Sequence, residues 1–320
     1  MKQFKSNTKF VIGIDGGGTS TNAILSNFEG KIISKASTNA TNFQIIGLKL
    51  TAEKIIQLIF KCLRNGKIKK PEIEKIVIGI SGAGRKVDQL NLKNSVLREA
   101  QNKKLKINEL VILPDALVTL ESAFGGKSGI ILIAGTGSIA FGKDNIRKIY
   151  RVGGWGRIIG DEGSGYFIGQ LALNKISQVI DGRIKSNGII NLVAKKFRLT
   201  SQEKIIKKVY REQFNISKLA PQIILAAQKG EKISSHIIKT SINELVLMVE
   251  TLVKKGDFRN FEVVKEKNKI PIICYGGLID GSNYFRKKLE KAILKSNRRF
   301  KIIKRKFLPV EGALNLVLKK

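Results

Sequence analysis

The sequence predicts an α/β protein built from two similar domains that face one another across a cleft. Residues 10–15 read as a buried strand that ends in a glycine turn and leads into a further strand. Residues 129–142 repeat this unit around a second glycine turn. Between and after these units, strand and helix patterns alternate, as in α/β proteins. A unit repeated near the start of each half therefore indicates two domains of one fold.

The first half contains strands and helices in a clear order. Two extended runs, 21–27 and 31–37, are joined by a Glu-Gly hairpin signal. A helix is predicted over residues 46–64, where Ile55, Leu58, Ile59 and Cys62 share one face. A strand over 75–80, a helix over 88–101 and a strand over 110–113 follow. Rossmann and P-loop turns lead into a helix, so a glycine turn between two strands indicates a different fold.

The second half becomes largely helical after the repeated unit. Helices are predicted over residues 163–179, 201–210, 218–228 and 233–254, and a last strand over 270–274. No proline- or serine-rich linker divides the chain. We therefore predict an N-terminal domain of residues 1–116 with a C-terminal helix, 309–320, and a C-terminal domain of residues 117–308 with helical elaborations.

Composition limits the classes of protein that fit. The chain carries 59 Lys and Arg against 25 Asp and Glu, a formal net charge of +34. The basic residues are scattered through the amphipathic segments without interleaved aromatic side chains, which favours a solvated lysine-rich surface over nucleic-acid binding. Two distant cysteines form no Cys-x-x-Cys pair, and no apolar run reaches the roughly 18 to 20 residues that span a bilayer. We expect a cytoplasmic protein without a membrane or nucleic-acid partner.

The first glycine turn has the residues needed to hold phosphate. Three glycines bring backbone N–H groups close to phosphate oxygens, and a threonine adds a hydroxyl donor. A plain glycine hairpin is the alternative. Asp15, at the strand end, could hold Mg²⁺ through water. The donors of the first turn are Gly17, Gly18 and Thr19. In the repeated unit, Thr136 and Gly137 offer donors of the same kind.

Phosphoryl transfer to an alcohol also requires a group that accepts the hydroxyl proton. Asp115 directly follows a buried strand, where α/β folds place site residues. The alternative is that Asp115 caps the helix that begins at Ala116. His236 is the single histidine and lies far from both glycine turns. Asp115 is therefore the predicted base.

Residues 153–165 form the densest glycine cluster and include the single tryptophan. So many glycines suit a backbone that approaches a ligand closely. The Asp161 carboxylate could accept hydrogen bonds from two sugar hydroxyls, and Trp155 could line the apolar face of a sugar ring. Glu162, near a helix start, could simply favour the helix dipole.

These motifs resemble the sugar kinase/Hsp70/actin superfamily, and within it the N-acetylglucosamine kinase and BadF/BadG-type ATPase family. The resemblance covers nearly the whole chain, and Gly-Asp-Glu-Gly-Ser at residues 160–164 is its most specific motif. It implies two actin-like, ribonuclease H-like domains with ATP bound in the cleft between them. It implies Asp115 as catalytic base and Asn42 as a sugar-binding residue. Further sugar contacts are implied at Asp115, Ser138, Gly154, Trp155, Gly156 and Asp161, and nucleotide contacts at Gly17, Gly18, Thr19, Thr136, Gly137, Ala220, Gly276, Gly277 and Gly281.

The resemblance predicts an enzyme that uses ATP and Mg²⁺ to phosphorylate an amino sugar. N-acetylglucosamine, converted to its 6-phosphate, is the expected acceptor. Glucosamine and N-acetylmuramic acid are alternatives, because no residue that would read the acetamido group can be identified. An ATPase switch without a sugar acceptor is a second alternative. Dehydratase activators of the family carry cluster-binding cysteines, which Cys62 and Cys274 do not match. A homodimer is compatible with the sequence.

Overall fold

The computed structural model describes residues 9–17, 20–69, 72–258, 269–304 and 308–319. The chain divides into two compact units. The first comprises Met1–Lys127 together with Lys306–Lys320, and the second comprises Ser128–Arg305. The predicted boundary near Ala116 falls inside the first unit, because the helix Asp115–Phe124 packs against a strand and the C-terminal helix of that unit.

The first unit is built on a five-stranded mixed sheet. Its strand order is β3-β2-β1-β4-β5, with β1, β2 and β3 antiparallel and β1, β4 and β5 parallel. The strands are β1 (Phe10–Gly16), β2 (Ser20–Asn27), β3 (Ile32–Asn39), β4 (Ile73–Ile80) and β5 (Ile107–Pro114). The helices are α1 (Phe43–Ile46), α2 (Leu48–Asn65), α3 (Lys86–Asn102), α4 (Asp115–Phe124) and the C-terminal α12 (Pro309–Leu318).

The second unit repeats this topology. Its sheet has the order β10-β9-β6-β7-β8, again with three antiparallel strands and a parallel extension. The predicted duplication is therefore confirmed at the level of strand order and direction. The strands are β6 (Gly129–Ala134), β7 (Ser138–Lys143), β8 (Ile149–Gly153), β9 (Ile270–Tyr275) and β10 (Phe300–Ile302). The helices are α5 (Gly165–Ile180), α6 (Lys195–Phe197), α7 (Gln202–Ile206), α8 (Ala220–Gln228), α9 (Lys232–Lys255), α10 (Gly277–Asp280) and α11 (Asn283–Ser296).

Each sheet buries an aliphatic core against its helices. In the first unit the predicted face of α2 is confirmed, because Ile55, Leu58, Ile59 and Cys62 are all buried. In the second unit, side chains of α5, α8, α9 and α11 share one buried core with the sheet. Burial of these side chains, at about 25 cal/mol per Å² of apolar surface, is the main favourable term in folding. In the described part of the chain, no helix combines the length and apolarity needed to cross a bilayer.

Close backbone packing holds α12 in the first unit. A Cβ atom on Gly13 of β1 would lie 2.4 Å from the Leu314 nitrogen, and one on Gly312 would lie 2.1 Å from the Val118 carbonyl oxygen. Glycine at both positions lets α12 approach β1 and α4 more closely than any side chain would allow. The C-terminal helix is therefore part of the first unit's core.

Some elements differ from the sequence-based expectation. The helix predicted over 201–210 is α7 followed by a π-helical turn, Lys207–Arg211. A second π-helical turn, Ile190–Ala194, leads into α6 and was not predicted. The edge strands β8 and β10 were also missed. Strand β8 is half-exposed along most of its length and β10 has only three residues, so neither strand gives a clear alternating pattern.

Candidate active site

The first glycine turn links β1 to β2 as predicted. The Gly17 N–H donates to the Ser20 carbonyl at 3.0 Å, which closes the turn. A Cβ on Gly16 would lie 2.8 Å from the Thr41 hydroxyl oxygen, so glycine is required for this packing. Asp15 is half-buried at the end of β1. Gly18 and Thr19, predicted to hold phosphate, lie outside the described residues.

Asp115 is the first residue of α4, directly after β5. The Ser81 hydroxyl donates to Asp115 Oδ2 at 2.6 Å, and the Ala116 N–H donates to Oδ1 at 2.8 Å. The helix begins one position earlier than the capping alternative requires, and Pro114 occupies the N-cap. The carboxylate still accepts a first-turn N–H. Two donors of different origin therefore orient a half-buried carboxylate.

Ser81 was not predicted as a site residue. It follows β4, and its N–H donates to the Gly16 carbonyl at 2.9 Å, which places it beside the end of β1. The ends of β1, β4 and β5 lie side by side in the parallel part of the sheet. Asp15, Ser81 and Asp115 consequently share the edge where α/β sheets place ligand-binding residues. A glycine-punctuated loop after a strand was the available sequence signal.

Asn42 lies beside the turn of residues 81–84, which follows β4. Its Oδ1 accepts the Gln44 N–H at 3.0 Å and so caps α1. The Gln44 side-chain amide in turn donates to the Gly82 carbonyl at 3.2 Å. A Cβ on Gly82, whose φ is +93°, would lie 3.2 Å from Asn42 Oδ1. The first unit thus brings the predicted sugar-binding asparagine and the predicted base to one short turn, at Gly82 and Ser81 respectively.

The second glycine turn, residues 135–137, is held by the start of α5. The Gly165 N–H donates to the Gly135 carbonyl at 2.8 Å, and the Tyr166 N–H donates to the Thr136 carbonyl at 3.1 Å. Thr136 itself is exposed at the tip. These contacts fix the turn's backbone before any ligand binds, which lowers the entropic cost of binding.

The second turn lies beside the Gly276–Gly277 segment that follows β9. Gly276 has a φ of +118°, and a Cβ there would lie 2.5 Å from the Ala134 carbonyl oxygen. A Cβ on Gly135 would lie 3.4 Å from the Gly277 nitrogen. The Gly281 N–H closes α10 onto the Gly277 carbonyl. The two segments predicted to contact nucleotide are therefore neighbours in this unit.

Ala220 is placed differently from the glycine turns. It begins α8, and its side chain is buried, with Gly165 nearby. Contact between Ala220 and a nucleotide remains a prediction. His236 is exposed on α9, in keeping with its exclusion as the base.

Asp161 lies against the second glycine turn. The backbone N–H groups of Ser138 and Gly156 donate to its carboxylate. A Cβ on Gly137 would lie 2.7 Å from Asp161 Oδ2, so only glycine permits this approach. The pKa of the Asp161 carboxyl is raised above its usual range, chiefly because the group is partly buried, while these two hydrogen bonds act in the opposite direction. Asp161 also has a φ of +58°, a left-handed conformation that side chains rarely adopt.

The other predicted sugar contacts of the second unit are arranged around Asp161. The Ser138 hydroxyl donates to the Glu162 carbonyl at 2.6 Å, which ties β7 to the segment before α5. Gly154 and Gly156 have φ values of +70° and +90°. Trp155, between them, is 71% exposed, so its indole ring is accessible to a ligand. The second unit therefore combines phosphate-binding and sugar-binding candidates around one glycine turn.

Two sheets of one topology, each with a glycine turn after its first strand, define the class of actin-like ATPase domains. Residues 12–317 match the BadF/BadG/BcrA/BcrD ATPase family. The chain belongs to this family, and the resemblance described from its motifs is confirmed.

Named relatives agree with this family. The chain is 30% identical to the N-acetylmuramic acid/N-acetylglucosamine kinase of Clostridium acetobutylicum, over 96% of this chain and 97% of that protein. It is 28% identical to the N-acetyl-D-glucosamine kinase of Dictyostelium discoideum, with the same coverage. A solved structure from Chromobacterium violaceum, provisionally named an N-acetylglucosamine kinase, matches 98% of this chain and 99% of its own with a TM-score of 0.73 at 21% identity. The predicted fold is thereby confirmed.

Proposed function

We propose that the chain transfers the γ-phosphate of ATP to a hydroxyl of an amino sugar, with N-acetylglucosamine as acceptor and its 6-hydroxyl as nucleophile. The observation that carries the proposal is the Asp115 carboxylate, held by Ser81 and Ala116 at the carboxyl edge of the first sheet. Two relatives similar over nearly the whole chain are named as N-acetylglucosamine kinases, which supports the choice of acceptor.

In this proposal Asp115 accepts the proton of the attacking sugar hydroxyl. A carboxylate has about four acceptor positions, so the two donors from Ser81 and Ala116 leave room for a substrate hydroxyl. Those donors also restrict rotation of the carboxylate, which positions an oxygen for proton transfer. Asn42, next to the same turn at Gly82, would orient the sugar through its amide.

ATP fits the glycine turns on structural grounds. A Cβ on Gly137 or Gly276 would clash with its neighbours, and one on Gly17 would lie a tight 3.2 Å from the Ser20 carbonyl oxygen. These turns therefore stay free of side chains, which suits close approach of a polyphosphate. Thr136, Gly277, Gly281 and Ala220 remain proposed nucleotide contacts, as do Gly18 and Thr19. When bound, ATP would supply the phosphoryl group and Mg²⁺ would neutralise its charge.

Asp15 is the proposed contact for Mg²⁺. Among the described residues, no group of three or more His, Cys, Asp or Glu side chains could form a metal site. Mg²⁺ usually keeps several waters and binds through one or two carboxylates plus substrate phosphates. A single carboxylate at the end of β1, beside the first glycine turn, fits that pattern.

In the second unit, residues of the glycine cluster 153–165 would orient the sugar. Trp155 offers an exposed ring for the apolar face of the sugar, and Asp161 offers carboxylate acceptors for hydroxyl groups. Ser138, Gly154 and Gly156 are proposed as further sugar contacts. In the structure the Ser138 hydroxyl donates to the Glu162 carbonyl, and the backbone N–H groups of Ser138 and Gly156 donate to Asp161.

We propose that the protein acts in the cytoplasm. Both cysteines are buried free thiols, and burial raises the pKa of Cys62 to about 11 and that of Cys274 to about 12. Such thiols are protonated and poorly reactive, and free thiols are usual in reducing compartments. We also propose that nucleic acid is not a partner, and a homodimer fits this enzyme class.

A coupled ADP-release assay with ATP and Mg²⁺ tests the proposed function. The acceptor panel is N-acetylglucosamine, glucosamine, N-acetylmuramic acid, N-acetylmannosamine, glucose and a sugar-free control. ADP release that depends on N-acetylglucosamine supports the proposal, and a stronger response to N-acetylmuramic acid or glucosamine would move the acceptor to that sugar. Equal release with and without every sugar would contradict the proposal and favour an ATPase switch.

Asp161→Asn should raise the stability of the protein at pH 7 while it weakens the use of the sugar. Because its folded-state pKa is raised, the ionised carboxylate costs stability, and this cost grows as pH rises from the ordinary Asp range through the raised pKa. Asp161→Asn should therefore melt higher than wild type at pH 7, while the difference should shrink near pH 4. The same variant should show a raised KM for the sugar, because an amide offers fewer acceptors.

Thermal melts at both pH values and sugar kinetics at pH 7 check this expectation. Asp181→Asn is the matched control, since Asp181 is exposed and pairs with Arg183. A variant that melts lower than wild type at pH 7 would show that the hydrogen bonds to Asp161 outweigh the cost of burying its charge.

A further inference from the structure

A cationic pocket lies in the second unit, formed within a short stretch of chain. It is built by α6, the following loop, α7 and the π-helical turn Lys207–Arg211, and it has a volume of about 510 Å³. None of its lining residues is among the proposed sugar or nucleotide contacts. The lining residues are Lys195, Arg198, Thr200, Lys204, Lys207, Lys208 and Glu212.

The pocket's charge is strongly unbalanced. Five of the seven lining residues are cationic and one is acidic. That acid, Glu212, pairs with Lys207 at 3.9 Å, near the outer limit of an ion pair. Cations gathered around one concavity repel each other, so the arrangement lowers stability unless an anion binds there. The lining is therefore suited to a ligand with several negative charges.

Two of the cations are positioned by their surroundings. The Lys208 ammonium lies over the Phe214 ring, 5.8 Å from its centroid, and Phe214 packs against Phe197. The Lys204 ammonium donates to the Thr200 hydroxyl at 3.4 Å. Side chains held in this way lose less entropy when an anion binds.

Arg198 adds a backbone feature. It ends α6 in the left-handed conformation, with a φ of 55°, where glycine or asparagine is the usual residue. Its N–H donates to the Lys195 carbonyl, which closes the turn. An arginine at this position is less favourable for the helix end than glycine, but it adds a planar guanidinium that pairs well with phosphate oxygens.

We propose that this pocket is an accessory site for a compact anion with several phosphate groups. Its volume lies in the range of about 300 to 1,000 Å³ found for small-molecule sites. An extended nucleic acid would need a longer basic track with exposed aromatic side chains, whereas this lining is confined to a single concavity. The assignment is independent of the proposed kinase reaction.

Calorimetric titration with inorganic triphosphate tests the site, with ADP held at saturation so that the nucleotide site is filled. The test variant is Arg198→Asn/Lys204→Gln/Lys207→Gln, in which asparagine tolerates the left-handed conformation. The control is Lys287→Gln/Lys291→Gln/Lys295→Gln, which removes the same charge from exposed positions of α11. At about 0.1 M salt the test variant should bind triphosphate at least about tenfold more weakly, because each lost cation removes a charge-assisted hydrogen bond.

The control variant should bind triphosphate like wild type. ADP affinity should be unchanged in both variants, and the test variant should melt no lower than wild type, because it relieves repulsion between cations and places asparagine at the left-handed position. Equal weakening in the two triple variants would show diffuse attraction to a basic surface and overturn the proposal. The proposal would also be overturned if the test variant bound triphosphate as tightly as wild type, or if wild type did not bind triphosphate at all. Tighter, pocket-dependent binding of a short single-stranded RNA would overturn the assignment to a small ligand.

Discussion

Asp115→Asn should lower the kcat for sugar phosphorylation by a factor of about 10² to 10⁴, the range that a general base contributes. The amide keeps the shape of the side chain and one acceptor oxygen, so it can still receive a hydrogen bond from Ser81 or Ala116. It cannot take up the proton of the attacking hydroxyl. Sugar affinity, measured by calorimetry without ATP, should change little.

Two further variants make this test specific. Asp88→Asn removes a carboxylate from the first turn of α3 in the same unit and should leave kcat unchanged, which controls for a loss of helix-end charge. Ser81→Ala should give a smaller loss than Asp115→Asn, because the base remains but loses the donor that orients it. An Asp115→Asn enzyme with most of its activity would remove Asp115 from the mechanism.

Gly312→Ala should destabilise the first unit by about 2 kcal/mol, because a side chain in a closely packed contact forces the backbone to shift. The new Cβ would lie 2.1 Å from the Val118 carbonyl oxygen and 2.6 Å from the Ser122 nitrogen, both backbone atoms of α4. Alanine is intrinsically the better helix residue by about 1 kcal/mol, so a loss of stability would show that packing outweighs helix propensity.

The distribution of aromatic residues allows the two units to be followed separately. The single tryptophan and all five tyrosines lie within Ser128–Arg305. The tryptophan and tyrosine bands of the near-ultraviolet circular dichroism spectrum therefore report the second unit, while the far-ultraviolet signal reports both. In urea, Gly312→Ala should show an early far-ultraviolet transition without an equal shift in the near-ultraviolet signal.

Gly84→Ala provides the matched control, because a Cβ at Gly84 would meet no atom within 4 Å. Its unfolding curve should follow that of wild type in both spectral regions. If Gly312→Ala also unfolds like wild type, the close approach of α12 to α4 does not limit the stability of the first unit.

Local patterns in the sequence were sufficient to predict the architecture. The strand–turn–strand units depend on apolar periodicity and on glycines adjacent in the chain, and they correspond to β1–β2 and β6–β7. The face of α2 was predicted because helical periodicity repeats within a few residues. Signals of this kind are weak in short or half-exposed elements, which is why β8, β10 and the π-helical turns were missed.

The sequence by itself determined the fold class, the two glycine turns and the prediction that a carboxylate after β5 acts as a base. Only the tertiary structure brought Ser81 to Asp115, Asn42 to the turn at Gly82, and Asp161 to Gly137. It also gathered five cations of residues 195–208 around one pocket. These pairings join positions far apart in the chain, or side chains whose directions depend on unusual backbone angles. Sheet register and glycine-mediated packing decide them, and no local pattern in the sequence encodes either one.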